Sequence, residues 1–167
     1  MKLEIGCGKA KTPGYVGMDQ FPLPGVDIVH DLETFPWPLP ASSVSEVKAH
    51  HVLEHLRNLT GVMEEVHRVL KPGGLFRITV PYFRHVGAFT DPTHVRFFTE
   101  GTFDYFSSKN PMSYYSTARY DLLEMRNGWE GFLAWHVDRY APRAIRSLAH
   151  RILLNKKYTL NFILQRA

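Results

Sequence analysis

The 167-residue chain has a single cysteine, Cys7. One thiol excludes an intrachain disulfide and a zinc site built on several cysteines, and it suits a reducing compartment. No apolar run is long enough to span a bilayer, and strand-forming residues follow directly on Met1. Neither a membrane span nor a secretory leader is therefore expected, and the expected location is cytoplasmic. Charge of one sign is in small excess, with a net +4 at pH 7. That is weaker than the footprint of a typical nucleic-acid binder, so nucleic acid is not expected as a partner, while an anionic substrate is permitted. There is no internal repeat, low-complexity tract or linker. What remains is an ordinary composition, 44% hydrophobic and 22% charged. It fits one domain over residues 1–167 with a sizeable core.

The chain is organised around its first nineteen or so residues. Lys2-Leu3-Glu4-Ile5 reads as a strand running into Gly6-Cys7-Gly8, and a second strand over 15–18 ends on Asp19. A strand, a glycine turn and an acid at the tip of the next strand form a nucleotide-binding arrangement. Further strands are expected over 26–30, closing on Asp31, and over 46–50, continuing into 52–56. The 60–70 stretch is the clearest helix, stopped by Lys71-Pro72-Gly73-Gly74. An apolar strand over 75–80 ends at Pro81. The aromatic-rich stretch 82–120 reads as a lid or acceptor insertion, with a short helix after Thr99. A strand over 120–125, a basic amphipathic helix over 142–154 and a final alternating strand over 158–165 complete the chain. Strands interleaved with helices imply an α/β sandwich with a mostly parallel sheet. Gly6, Gly8, Asp19, Asp31, His50 and Pro81 then fall together at strand carboxyl ends, where such sheets bind ligands.

Taken jointly, Leu3-Glu4-Ile5-Gly6-Cys7-Gly8, Asp19, Asp31, Val52-Leu53-Glu54-His55-Leu56 and Arg68-Val69-Leu70-Lys71-Pro72-Gly73-Gly74 resemble the class I S-adenosylmethionine-dependent methyltransferases, in a small type 11-like branch. The resemblance runs over about residues 2–98. It implies a Rossmann-like three-layer sandwich with a seven-stranded, mostly parallel sheet whose last strand is antiparallel. It also implies S-adenosyl-L-methionine as cofactor. Gly6, Cys7 and Gly8 would line its methionine part, Asp19 would hold the ribose hydroxyls, Asp31 and the Leu32 amide would read the adenine, and His50 would close the pocket floor. The stretch 9–14 is too short for the helix that usually joins the first two strands, and the usual N-terminal helices are reduced. The pocket is then either more open than is usual in the family or covered by a partner subunit, a second copy of the chain included. A dinucleotide is disfavoured, because Lys11 stands where the third glycine of that fingerprint belongs and no helix start offers a pyrophosphate seat.

The acceptor region is expected between Pro81 and Thr99. His94 is the candidate general base, with Asp91 orienting it, and Tyr82, His85 and Arg96 are candidate substrate contacts. His50-His51-Val52-Leu53 replaces the motif typical of base N-methyltransferases, and Cys7 is the only thiol for a cytosine-type enzyme. A small-molecule or glycan-linked acceptor remains. No carboxylate cluster suited to a metal can be assembled, so none is expected. Residues 129–135 and the basic helix after them could touch an anionic membrane surface, but packing on the sheet is the preferred reading. The rival functional reading is a catalytically silent accessory or regulatory subunit that binds the cofactor.

Overall fold

A computed structural model describes residues 1–129, 142 and 157–167. Apart from Trp129 and Pro142, the stretch 129–135 and the expected helix over 142–154 lie outside these residues. The strands are β1 (Lys2–Ile5), β2 (Val16–Asp19), β3 (Ile28–Val29), β4 (Val44–His50), β5 (Leu70–Pro81), β6 (Tyr120–Trp129) and β7 (Lys157–Arg166). They form a 7-stranded sheet in the order β3-β2-β1-β4-β5-β7-β6. β1 to β5 pair in parallel, and β7 enters antiparallel between β5 and β6. This is the mostly parallel Rossmann-like sheet, with its last strand reversed, that the resemblance implies.

Alternation along the strands decides the core. Leu3 and Ile5 lie beside Val47 and Ala49, which lie beside Phe76 and Ile78. Leu164 and Phe162 continue the row on β7, and all eight side chains are buried. Onto this face packs α1 (Leu59–Val69), which contributes Val62, Met63, Val66 and Val69. Asn58 caps α1 by accepting the Gly61 amide at 2.9 Å, and the cation of Arg68 occupies its last turn. Tyr120 ties β6 to the helix by donating from its hydroxyl to the Met63 carbonyl at 2.8 Å.

The alternate positions carry charge. Lys48 pairs with Glu4 at 3.0 Å, while Arg77 pairs with Glu46 at 3.0 Å. The Glu4 carboxylate also accepts the Thr12 amide at 2.6 Å, which folds the short connection between β1 and β2 back onto the sheet. No helix forms there, and turns alone link Ile5 to Val16. Burial pushes the Glu4 and Glu46 carboxyls up, but their hydrogen bonds and ion pairs outweigh it and hold both below the usual range. A carboxyl depressed on folding contributes stability that is complete above its unfolded value near 4.5 and is lost as pH falls through its folded value. The melting temperature should therefore stay level from pH 7 to about 5.5 and fall below about 4.5, and Glu46→Gln should flatten that acid limb.

Two local differences from the sequence reading bear on the site. The strand expected to continue over 52–56 instead stops at His50. His51 takes a left-handed backbone (φ 51°), and Leu53–His55 winds into a 3-10 turn. β6 also runs on to Trp129, whose backbone pairs with Lys157 at the start of β7.

Candidate active site

β1 ends in a turn where the Gly6 amide donates to the Met18 carbonyl at 2.8 Å, with Gly6 at φ 62° and Gly8 at φ 52°. The Asp19 carboxylate organises this turn, accepting the Gly8 amide at 2.9 Å and the Phe21 amide at 3.1 Å, one on each oxygen. A carboxylate offers about four acceptor sites, so lone pairs remain for a ligand's hydroxyls. Asp31, beyond β3, accepts the Glu33 amide at 2.9 Å. Leu32 is buried and its carbonyl accepts the Trp37 indole N–H at 3.1 Å, fixing the approach to Asp31.

Gly6, Gly8, Asp19, Asp31 and Leu32 line one cavity of about 400 Å³. Sequence reasoning did not assign Gln20, Phe21, Leu23, Glu33, His51, Val52, His55 or Leu56, which complete the lining. Gln20, Phe21 and Leu23 lie within four residues of Asp19 and Glu33 within two of Asp31, and that nearness was the available signal. Two expected residues lie elsewhere. His50 shares the strand face of Glu46 and Lys48, and His51 takes the place beside the cavity. Cys7 is buried against Gly17, where an added Cβ would stand 2.7 Å from its Sγ. Burial, with the Asp19 and Glu4 charges, pushes the Cys7 thiol up, away from a nucleophilic thiolate.

The lining suits an adenosyl-sulfonium ligand. Gly8 faces open space, so the cavity reaches its backbone. Leu23, Leu32, Val52 and Leu56 offer apolar walls, and Asp19 and Asp31 offer acceptors. Among the described lining residues no lysine or arginine offers a phosphate its counter-charge, while three carboxylates favour a cationic guest.

The segment around His94 is pinned to this cavity's wall. The Val95 and Arg96 amides both donate to the Glu54 carbonyl, at 2.9 and 3.2 Å. Arg96 directs its guanidinium to the Leu56 carbonyl at 2.7 Å and to that of Arg57, so it clamps the two segments. His94 is nearly buried and its Nδ1 lies 2.9 Å from the Ala88 carbonyl. That carbonyl can only accept, so Nδ1 carries the proton and Nε2 keeps a lone pair, 3.9 Å from Asp91 Oδ2. Asp91 also accepts the Thr93 amide at 2.8 Å and its hydroxyl at 2.6 Å. His85 is different, because its Nδ1 accepts the Gly87 amide at 3.0 Å. Tyr82 is buried, and burial together with a hydrogen bond to Glu100 pushes its phenol up.

A methyltransferase-domain family model matches residues 16–78. No curated protein matches the chain. Among solved structures, an S-adenosylmethionine-dependent methyltransferase from Archaeoglobus fulgidus aligns over 99% of this chain and 85% of its own, at 17% identity and a TM-score of 0.67. One from Mesorhizobium loti aligns over 99% and 90%, at 14% identity and a TM-score of 0.65. At such identities these likenesses speak for the fold, and the family model speaks for the sequence. The family model thus speaks for residues 16–78, from β2 into β5, and over the rest of the described chain the likeness to S-adenosylmethionine-dependent methyltransferases is one of fold.

Proposed function

We propose that the protein transfers a methyl group from S-adenosyl-L-methionine to a small-molecule or glycan-linked acceptor that enters between the cofactor cavity and residues 82–99. The observation that carries this is the backbone clasp between Glu54 and Val95-Arg96, next to which the His94 ring meets that of His55, a lining residue of a cavity suited to the cofactor. When bound, the cofactor supplies an electrophilic methyl on a sulfonium, and the acceptor's attack forms a new bond to that carbon as the carbon–sulfur bond breaks. Asp19 and Asp31 hold the adenosyl part through hydrogen bonds. The apolar walls exclude water from it. His94 Nε2 accepts the proton that a hydroxyl acceptor must lose, and Asp91 stands near the imidazolium that forms. Phe89 and Phe97 stack at 4.5 Å on the exposed side of the segment, an aromatic surface able to hold the apolar face of a sugar ring.

Titration with S-adenosylhomocysteine tests the cofactor half. Binding in the micromolar range is expected, and no heat at near-millimolar ligand would end the proposal. Asp19→Ala should weaken binding by roughly tenfold to a hundredfold, since charged-group hydrogen bonds contribute about 1.5–3 kcal/mol. His94→Ala should leave binding nearly intact. With an acceptor in hand from a screen of hydroxylated metabolites and glycans, full transfer by His94→Ala would remove the base role.

A further inference from the structure

One side chain at the acceptor wall is left unexplained by methyl transfer. Glu54 is 1% exposed, and among the described residues its Oε2 has no hydrogen-bond partner. Its Oε1 is held by His51 Nδ1 at 3.1 Å. A buried carboxylate oxygen without a donor is costly and rare in native proteins. Beside it stand His55 and His94, with ring centroids 4.8 Å apart. One ligand atom from each of Glu54, His55 and His94 lies within 4.8 Å of the others.

The hydrogen bonds behind the two rings decide which nitrogens are available. The Thr93 hydroxyl has one proton and lies 2.6 Å from Asp91 Oδ1, which can only accept it. At its other contact, 2.9 Å from His55 Nδ1, the hydroxyl must therefore accept, so His55 carries its proton on Nδ1. His94 carries its own on Nδ1 through the Ala88 carbonyl. Both rings thus keep the Nε2 lone pair, each oriented by a hydrogen bond from the opposite nitrogen, as metal-ligating histidines are. Two imidazole lone pairs and a carboxylate oxygen repel one another until a cation joins them. The clasp of Val95 and Arg96 on the Glu54 carbonyl holds the two chain segments in this arrangement.

We infer that Glu54, His55 and His94 bind a divalent metal ion of the zinc, cobalt or manganese type at the wall of the cofactor cavity. Two nitrogens and one oxygen favour these ions over magnesium and calcium, which take all-oxygen sites. Three protein ligands leave at least one coordination position open. Bonds near 2.1 Å place ligand atoms roughly 3.5 Å apart, so the side chains close by about 1 Å on binding. His55 also lines the cofactor cavity, which puts the ion where an acceptor oxygen would approach. With the ion bound, His94 Nε2 is a ligand and no longer the base, and the ion instead serves as a Lewis acid that acidifies an acceptor hydroxyl or holds a chelating pair of oxygens. Only this last role rests on the methyl-transfer proposal.

The test uses the full chain, stripped with a chelator and titrated with Zn²⁺, Mn²⁺ and Mg²⁺ by calorimetry, with Co²⁺ followed by visible absorption. One Zn²⁺ per chain is expected, with Mg²⁺ weaker by at least a hundredfold and Co²⁺ showing d–d bands. Glu54→Gln and His94→Gln should each weaken Zn²⁺ at least tenfold, while His30→Gln, at a histidine remote from the triad, keeps wild-type uptake. Should Glu54→Gln fail to fold by circular dichroism, His94→Gln decides alone. No uptake at 100 μM Zn²⁺, or equal uptake by wild type and His94→Gln, overturns the inference. S-adenosylhomocysteine binding is read separately on the metal-free protein, so a failed cofactor reading and a failed metal reading give different results. A His94 that is only a base would lose turnover on substitution and keep the metal.

Discussion

Gly6→Ala should lower the melting temperature sharply and take cofactor binding with it. Gly6 has φ 62°, a left-handed conformation that costs an alanine about 1–2 kcal/mol. The added Cβ would also stand 2.3 Å from Val52 Cγ2 and 2.7 Å from its Cβ, so rotating the valine cannot relieve the overlap. The glycine turn and the chain leaving β4 would have to separate, and these are two walls of the cavity. A total loss of roughly 3 kcal/mol or more is expected, about 6–12 °C for a chain of this size. Gly8→Ala is the contrast. Its φ is 52°, but nothing lies within 4 Å of an added Cβ. It should lose only the conformational term in a thermal melt, yet bind S-adenosylhomocysteine at least tenfold more weakly, because the methyl projects into ligand space. Equal melting temperatures for the two variants would contradict the crowding at Gly6.

The second large effect belongs to Glu65. It accepts the Trp37 amide at 2.6 Å and both Nε and Nη2 of Arg68, at 2.9 and 2.5 Å, while being 7% exposed. Arg68 reaches on to the Leu39 carbonyl at 2.9 Å. Burial raises the Glu65 carboxyl, but Arg68 and the Trp37 amide outweigh it and hold the group below its usual value. Glu65→Ala strands a buried amide and a partly buried guanidinium at once. Breaking such a pair from one side costs about 3–5 kcal/mol, so denaturant titration should show a loss of that size. Replacing Glu64, the neighbour that bonds Ser116 and the Thr117 amide in a more exposed setting, should cost far less.

That contrast marks what could be read from residues alone. The periodicity that marks α1 cannot separate Glu64 from Glu65, because it cannot see Trp37 arriving from a proline-rich loop to need an acceptor. The strands were legible wherever alternation ended on a turn residue, as at Gly6 and Asp19, since glycine and an acid at a strand tip have few other uses. Asp19, Asp31 and Leu32 reach one cavity because parallel strands put their carboxyl ends on one edge. The break after His50 was not legible, since a left-handed histidine is a choice made by its surroundings. His94 could be singled out as reactive, but its meeting with His55 depends on backbone bonds to the Glu54 carbonyl across about forty residues. The expectation of no metal rested on the lack of a carboxylate cluster, whereas two imidazoles and one acid need no such cluster.

The pairing of Trp129 with Lys157 fixes where the chain leaves β6 and where it re-enters β7. Their backbones sit at one strand spacing, about 5 Å apart. Because Pro81 at the end of β5 pairs with Thr159, this exit and entry lie on the carboxyl edge of the sheet. That is the edge on which β1 turns at Gly6, so the sheet opens its doorway on the side that carries the cavity, three strands away from it.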